Sequence, residues 1–140
     1  MSEANKALAR RYFEELSNDR RLEIADAILT ADHVYHDPQI PNVVGPKAMA
    51  DTIAVYQNGV EGHWHIEEMV AEGDRVVTRW TGTGKHTGNV MGLPPTGKSV
   101  NVAAITVQRV VNGKIAETWT VWDTLGFLQQ LGAIPAAAPA

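Results

Sequence analysis

The chain has 140 residues and a mass of 15.2 kDa, the size of one domain, and its net charge of −4 gives no basic surface for nucleic acid. The absence of cysteine excludes disulfides, thiol nucleophiles, zinc ribbons and iron–sulfur sites. No apolar run approaches the roughly 20 residues of a membrane helix, and the N-terminus does not resemble a signal peptide. We therefore expect one soluble, cytoplasmic α+β domain over residues 1–132, followed by a frayed tail of alanine and proline over residues 133–140.

The N-terminal half of the chain is predicted to be mainly helical. Apolar residues at helical spacing, with two i,i+4 Arg–Glu pairs on the opposite face, predict a first helix over residues 5–18. Asp19 is expected to be the N-cap of a short second helix that ends with Leu29 on its buried face. An extended piece over residues 32–38 ends at a proline, and a third helix is predicted over residues 46–59.

From Gly62 onward the pattern changes to the period of two that is typical of strands. Gly73-Asp74 and Asn112-Gly113 are hairpin signals, residues 88–98 predict a structured loop, and a last helix is expected over residues 124–131. The elements are thus three helices with a short strand among them, a four-stranded antiparallel meander and a terminal helix. This order predicts an α+β fold in which a twisted, helix-covered sheet encloses a cavity for a small hydrophobic ligand.

Two motifs in the strands could hold a metal ion or a phosphate group. His63 and His65 point to the same strand face and could chelate a metal with a third ligand such as His86. Two histidines without a specified third partner are, however, more typical of a polar outer strand. The glycines over residues 82–88 lie within a strand pair and do not precede a helix, so they lack the context of a phosphate loop. No metal and no cofactor is therefore predicted.

The chain contains four tryptophans, which is a high number for its length. Counting at period two places Trp64, Trp80 and Trp119 on the inward faces of their strands. Their rings could line a cavity for a flat aromatic ligand, or they could only fill the core. We expect them to be core and cavity wall at once.

Asp123 is the strongest candidate for a catalytic residue. It follows Trp119 and Val121 at period two, so it is expected at the end of a strand on the Trp119 face. A carboxylate at the mouth of an apolar cavity would have its charged form disfavoured, as a general acid/base that works near neutral pH requires. Asp123 also directly precedes the last helix and could be its N-cap. The pattern leaves both possibilities open.

The segment from Tyr35 to Pro38 forms a second polar cluster. Asp37, which precedes the proline, is of a type that commonly forms turns. His36 beside it could orient a carboxylate or donate a hydrogen bond to a developing oxyanion. His33 adds polar density on a face that is expected to be partly solvated.

Six segments occur along the chain in a characteristic order and spacing: RYFEEL, VYHDP, GPKAM, GTGKHTG, PPTGKSV and RVVNGKIAETWTVWDTLGFLQQLG. In this order they resemble the SnoaL-like polyketide cyclases, the ester-cyclase group of the nuclear transport factor 2-like superfamily. The resemblance implies a cone-shaped α+β barrel, with three N-terminal helices packed on a strongly curved antiparallel sheet and a short C-terminal helix. It also implies a homo-oligomer, a dimer or a tetramer.

The implied reaction is a cofactor-independent, intramolecular aldol ring closure of an aromatic polyketide methyl ester. In the cyclases of this family an aspartate near the end of the last long strand is the acid/base, and the matching position here is Asp123, with His36 as an assisting residue. The implied substrate is a small hydrophobic aromatic or polycyclic molecule. The residues expected to bind it are Tyr12, His33, Trp64, Trp80, Glu117 and Trp119.

Three alternatives stay open. Ketosteroid isomerase shares the architecture, and its proton-shuttling aspartate also precedes a proline, so a similar enzyme here would use Asp37 as the base. Some SnoaL-like proteins serve as hydroxylation components of polyketide pathways. A non-catalytic binding domain would keep the cavity, with Asp123 only a helix cap and the tryptophans only core.

Overall fold

The computed structural model describes residues 2–135, so residues 136–140 of the predicted tail lie outside the described part of the chain. In chain order the elements are α1 (Ser2–Arg11), a π-helical continuation (Tyr12–Asn18), a 3-10 turn (Leu22–Ile24), α2 (Ala25–Ile28), β1 (Leu29–Asp37), β2 (Ile40–Val44), α3 (Pro46–Val60), β3 (His63–Glu72), β4 (Arg75–Lys85), β5 (Ser99–Val111), β6 (Lys114–Trp122) and α4 (Thr124–Gln130). Between residues 2 and 135, no helix is both long and apolar enough to cross a membrane.

The first helical segment continues past α1 as a wider, π-helical turn. The backbone N–H of Asp19 donates to the carbonyl of Glu14 at 2.8 Å, an i→i−5 bond that closes this turn. Tyr12, Phe13 and Leu16 are all buried on the inner face. The predicted first helix is confirmed, and its last turn brings a tyrosine and a phenylalanine against the sheet.

The N-cap predicted at Asp19 is wrong. The backbone of Asp19 ends the π-helical turn, and the next turn starts only after Arg21, without a side-chain cap. The second helix is accordingly a short 3-10 turn followed by the four residues of α2. Leu29, expected in that helix, already belongs to β1, because it pairs with Ile115 of β6.

The six strands form one sheet in the order β2-β1-β6-β5-β4-β3. The antiparallel meander from β3 to β6 is confirmed, and both central residues of the Asn112-Gly113 turn have positive φ (49° and 77°), as a type I′ turn requires. The sheet also contains β2, which the sequence analysis missed because Pro41 and Asn42 are poor strand formers, tolerated here at the edge of the sheet. One pairing is parallel, β1 with β6, so the sheet is mixed.

A bulge in β6 decides which residues of this strand face the helices. Arg109 pairs with Glu117 but Val110 pairs with Ile115, so Ala116 is an extra residue on β6. Ile115 and Ala116 are both buried, and beyond the bulge the inward positions are Thr118, Thr120 and Trp122. The inward placement of Trp119 by period-two counting is therefore wrong, and Glu117, on the same face as Trp119, is also turned away from the helices.

The glycines of the GTGKHTG segment permit close packing of α3 on the sheet. A Cβ atom added at Gly84 would overlap the backbone carbonyl of Val60, at the end of α3. A Cβ atom added at Gly88 would lie 2.5 Å from the carbonyl oxygen of Asn58. These glycines therefore allow α3 to pack closely on β4 and on the segment that follows it, and α3 closes one side of the space above the sheet.

Candidate active site

A cavity lies between the helices and the concave face of the sheet. The π-helical turn after α1, the helices α3 and α4, and the strands β1, β3, β4, β5 and β6 all contribute to its wall. Most of its wall is apolar or aromatic. The aromatic residues in the wall are Tyr12, Phe13, Tyr35, Tyr56, Trp64, Trp80, Trp122 and Phe127. Such a wall suits a flat hydrophobic ligand.

Asp37 is the one carboxylate that lines this cavity among residues 2–135, and it is only 9% exposed. Its Oδ2 accepts hydrogen bonds from the Tyr35 hydroxyl at 2.9 Å and from Trp122 Nε1 at 3.3 Å. Its Oδ1 accepts from the backbone N–H of Gln39 at 2.8 Å. Three donors therefore orient the carboxylate and compensate for its burial in an apolar cavity.

Side-chain hydrogen bonds also join the strands β4, β5 and β6 within the wall of the cavity. Trp80 Nε1 donates to Thr106 Oγ1 at 2.9 Å, and Thr106 Oγ1 lies 2.9 Å from Thr120 Oγ1. Thr120 and Tyr35 both line the cavity. Burial, then the neighbouring Tyr12 and Asp37, raises the pKa of Tyr35, so its hydroxyl stays protonated and keeps donating to Asp37.

Asp123 lies outside the cavity wall, on the surface. Its Oδ1 accepts a hydrogen bond from the backbone N–H of Gly126 at 2.8 Å, which makes it the N-cap of α4. The second of the two possibilities left open by the sequence therefore describes its position. An acid/base role for Asp123 stays a prediction that its position does not support.

His36, Glu117 and Trp119 come together, but on the outer face of the sheet and not in the cavity. His36 Nε2 lies 2.6 Å from Glu117 Oε2, and the His36 ring stacks on Trp119 with 5.3 Å between ring centres. The hydrogen bond from His36, then those from Arg109, lowers the pKa of Glu117. The expected positions of these three residues are corrected, because His36 alternates with Tyr35 and Asp37 on β1 and the β6 bulge turns the other two outward.

Tyr12, Trp64 and Trp80 do lie in the cavity wall. Their roles in substrate binding stay predictions. His33, by contrast, does not line the cavity. It is fully buried, and its Nε2 lies 2.9 Å from Thr118 Oγ1.

His33 is expected to make the stability of the protein depend on pH. Burial lowers the pKa of His33 from 6.5 to about 4, the effect of His36 adding to it and those of Glu117 and Asp32 opposing it. The unfolded chain takes up a proton near pH 6.5, whereas the folded chain does not until about pH 4. Stability should therefore fall by up to about 3 kcal/mol as the pH drops through this window. Urea unfolding at several pH values measures this fall.

The His33→Gln variant is the control, since glutamine is uncharged and can still bond Thr118. It should be less stable than the wild type near neutral pH but should lose less stability on acidification. An equal loss in both proteins would show that His33 does not cause it.

The three histidines considered for a metal are not arranged as a ligand set. His63 Nδ1 lies 3.1 Å from His65 Nε2, and His65 also contacts Thr83. His86 is fully buried at the start of the loop over residues 88–98, where its Nδ1 contacts Thr96. In the part of the chain that the structure describes, no group of three potential ligands could hold a metal ion.

The sequence analysis did not assign Tyr35, Tyr56 and Trp122, which all line the cavity, to the site. Tyr35 shares its strand face with Asp37 at period two, which is a signal that could have been used. Tyr56 lies one helical turn from Ile53, a core residue of α3. Trp122 could not be placed from the sequence, because the bulge at Ala116 changes the face of every later residue of β6.

The chain is similar to known proteins over nearly its whole length. A family model described as SnoaL-like polyketide cyclase matches residues 7–131. The aklanonic acid methyl ester cyclase DauD from Streptomyces sp. strain C5 is 31% identical over 131 residues, which cover 89% of this chain and 80% of DauD. The nogalonic acid methyl ester cyclase from Streptomyces nogalater is 31% identical over 105 residues, 74% of this chain and 73% of the relative.

Among solved structures, AclR from Streptomyces galilaeus, which is described as a hydroxylase, has a TM-score of 0.85 at 27% identity. The match covers 99% of this chain and 87% of AclR. All the cavity residues named above lie within the matched residues 7–131.

Proposed function

Because the chain belongs to the SnoaL-like polyketide cyclase family, as its sequence motifs predict, we propose that it closes a ring in an aromatic polyketide methyl ester by an intramolecular aldol reaction. The two relatives compared above are methyl ester cyclases, so ring closure is the activity that the family supports. We assign the acid/base step to Asp37. The observation that carries this assignment is that Asp37 is the one carboxylate, among the described residues, in the wall of the cavity.

The proposed reaction needs one carboxylate that first takes and then returns a proton. Asp37 removes a proton from a carbon flanked by two carbonyl groups, and the electrons of the C–H bond form an enolate. The enolate carbon attacks a ketone of the same molecule, which forms a C–C bond and leaves an alkoxide. Protonated Asp37 then returns the proton to the alkoxide, so the product is an isomer of the substrate.

The cavity has a volume of about 80 Å³ and a mainly apolar and aromatic wall, which supports binding of the reacting end of a polyketide there. Trp64 and Trp80 offer aromatic faces for the fused rings. No cofactor is required, because the substrate itself delocalises the negative charge. We also propose that the protein forms a homo-oligomer.

Ring closure is tested by incubating the purified protein with a tricyclic anthraquinone-type polyketide methyl ester and no added cofactor. Chromatography with mass detection should show a new product of unchanged mass and one additional ring. Heat-denatured protein measures the spontaneous reaction. If folded protein binds the ester but does not accelerate closure, the cyclase assignment is wrong and the binding-domain alternative replaces it.

The position of Asp37 also favours a second candidate, a proton-shuttling isomerase similar to ketosteroid isomerase. Such an enzyme would move a double bond in an enolisable ketone without forming a ring. The same chromatography separates the two activities, because only the cyclase changes the number of rings. A product heavier by one oxygen atom would instead indicate a hydroxylation component.

A further inference from the structure

Two tyrosine hydroxyls in the cavity are not committed to strong hydrogen bonds. Tyr12 is 5% exposed, and its hydroxyl contacts only the thioether of Met49, with 4.0 Å between oxygen and sulfur. A thioether is a weak acceptor. The Tyr56 hydroxyl has no side-chain or backbone hydrogen-bond partner within residues 2–135, and Tyr56 lines the same cavity. Tyr35, the third tyrosine of the chain, is by contrast committed to Asp37.

Both free hydroxyls are donors throughout the physiological pH range. Burial, then the charge of Asp37, raises the pKa of Tyr12. The same two causes raise the pKa of Tyr56 to about 12. Neither tyrosine can therefore act as a base, but each keeps a proton for a hydrogen bond.

The two hydroxyls and the carboxylate are carried by three different elements that line the cavity. Tyr12 begins the π-helical turn after α1, and Tyr56 lies on α3, where its ring contacts Trp122 edge-on at 5.9 Å between ring centres. Asp37 is on β1, in the sheet. A substrate in the cavity therefore meets one proton acceptor carried by the sheet and two proton donors carried by helical elements.

We propose that Tyr12 and Tyr56 form an oxyanion-binding pair, which donates hydrogen bonds to the oxygen atoms that gain negative charge during the reaction. Under the proposed function, on which this inference rests for its substrate, these oxygens are those of the enolate and of the alkoxide. The tyrosines keep their protons throughout, and only Asp37 exchanges one. A pair of donors fits two oxygens, so the preferred ligand is the anion of a 1,3-dicarbonyl compound rather than that of a simple ketone.

The pair is tested in the Asp37→Asn variant. Asparagine is uncharged, as the Asp37 carboxyl is after it has taken a proton, so the variant represents that stage of the reaction. The probe is para-nitrophenol, because its anion and its neutral form differ in visible absorption. The protein should bind the anion in preference to the neutral phenol, so the bound probe should ionise at a lower pH than the free probe. Adding Tyr12→Phe or Tyr56→Phe should weaken anion binding about 10-fold or more, since each removes a hydrogen bond to a charged acceptor.

Nitrobenzene is the matched neutral ligand and should bind equally well to all three proteins, which also shows that the cavity is still formed. Unchanged anion binding in both tyrosine variants would overturn the inference. The binding measurement does not depend on turnover. If the wild type fails to close a ring but the tyrosines still govern anion binding, the inference holds and only the proposed function fails.

Discussion

Replacing Asp37 with asparagine is expected to lower the rate of ring closure about 1,000-fold, the middle of the range for loss of a general acid/base. Asparagine has nearly the same shape and can still accept hydrogen bonds from Tyr35 and Trp122 through its amide oxygen. It cannot take a proton from carbon, however. The measurement is kcat in the ring-closure assay, with circular dichroism to show that the variant is folded.

Asp123→Asn is the matched control, since asparagine is as good an N-cap as aspartate. Its side chain can still accept from the N–H of Gly126, so both stability and turnover should stay within about twofold of the wild type. The opposite result, with closure lost in Asp123→Asn and kept in Asp37→Asn, would restore the acid/base role that the family resemblance implies for Asp123. It would also remove the main support for the proposed mechanism.

Leu16→Ala is expected to destabilise the protein by about 2–5 kcal/mol, because it deletes a large side chain from a closely packed core. Leu16 is 0% exposed, belongs to the main hydrophobic cluster and lies outside the wall of the cavity. The cost combines the lost burial of apolar surface with the cavity left behind. Chemical denaturation monitored by tryptophan fluorescence measures the change in the free energy of unfolding.

The same substitution at Leu125, which is 57% exposed on α4, is the control and should change stability by no more than about 0.5 kcal/mol. Leucine and alanine have similar helix propensities, so the difference between the two variants reports burial. Equal effects at the two positions would mean that the π-helical turn does not pack on the sheet as described. Because Leu16 does not line the cavity, the folded Leu16→Ala protein should retain ring-closure activity.

The fold explains why the cavity acquires its carboxylate from β1. This strand runs parallel to β6, and its pairing with β6 carries Tyr35 and Asp37 to the same end of the sheet as Trp122. The adjacent proline stops the strand there, and the turn that follows supplies the N–H of Gln39. A short motif, Asp-Pro after an inward tyrosine, thus lines the same cavity as Tyr12 and Tyr56.

Much of the architecture follows from local sequence patterns. The first and third helices, the meander from β3 to β6 and the Asn112-Gly113 turn were all predictable, because helical spacing, alternation and turn chemistry are properties of neighbouring residues. The family, too, was recognisable from six short segments in order. These features depend on local sequence and not on which distant residues meet.

The site required the tertiary structure. A bulge of one residue at Ala116 decided that Trp122 faces the cavity and Trp119 does not, and pairing with β5 reveals that bulge whereas alternation along β6 cannot. Asp37 and Asp123 each fit the pattern of a strand-terminal carboxylate. Their hydrogen bonds in the folded protein distinguish the two. Asp37 is buried and accepts from Tyr35 and Trp122, whereas Asp123 is the cap of a helix. The sequence therefore determined the fold and the family, and long-range packing decided which carboxylate entered the cavity.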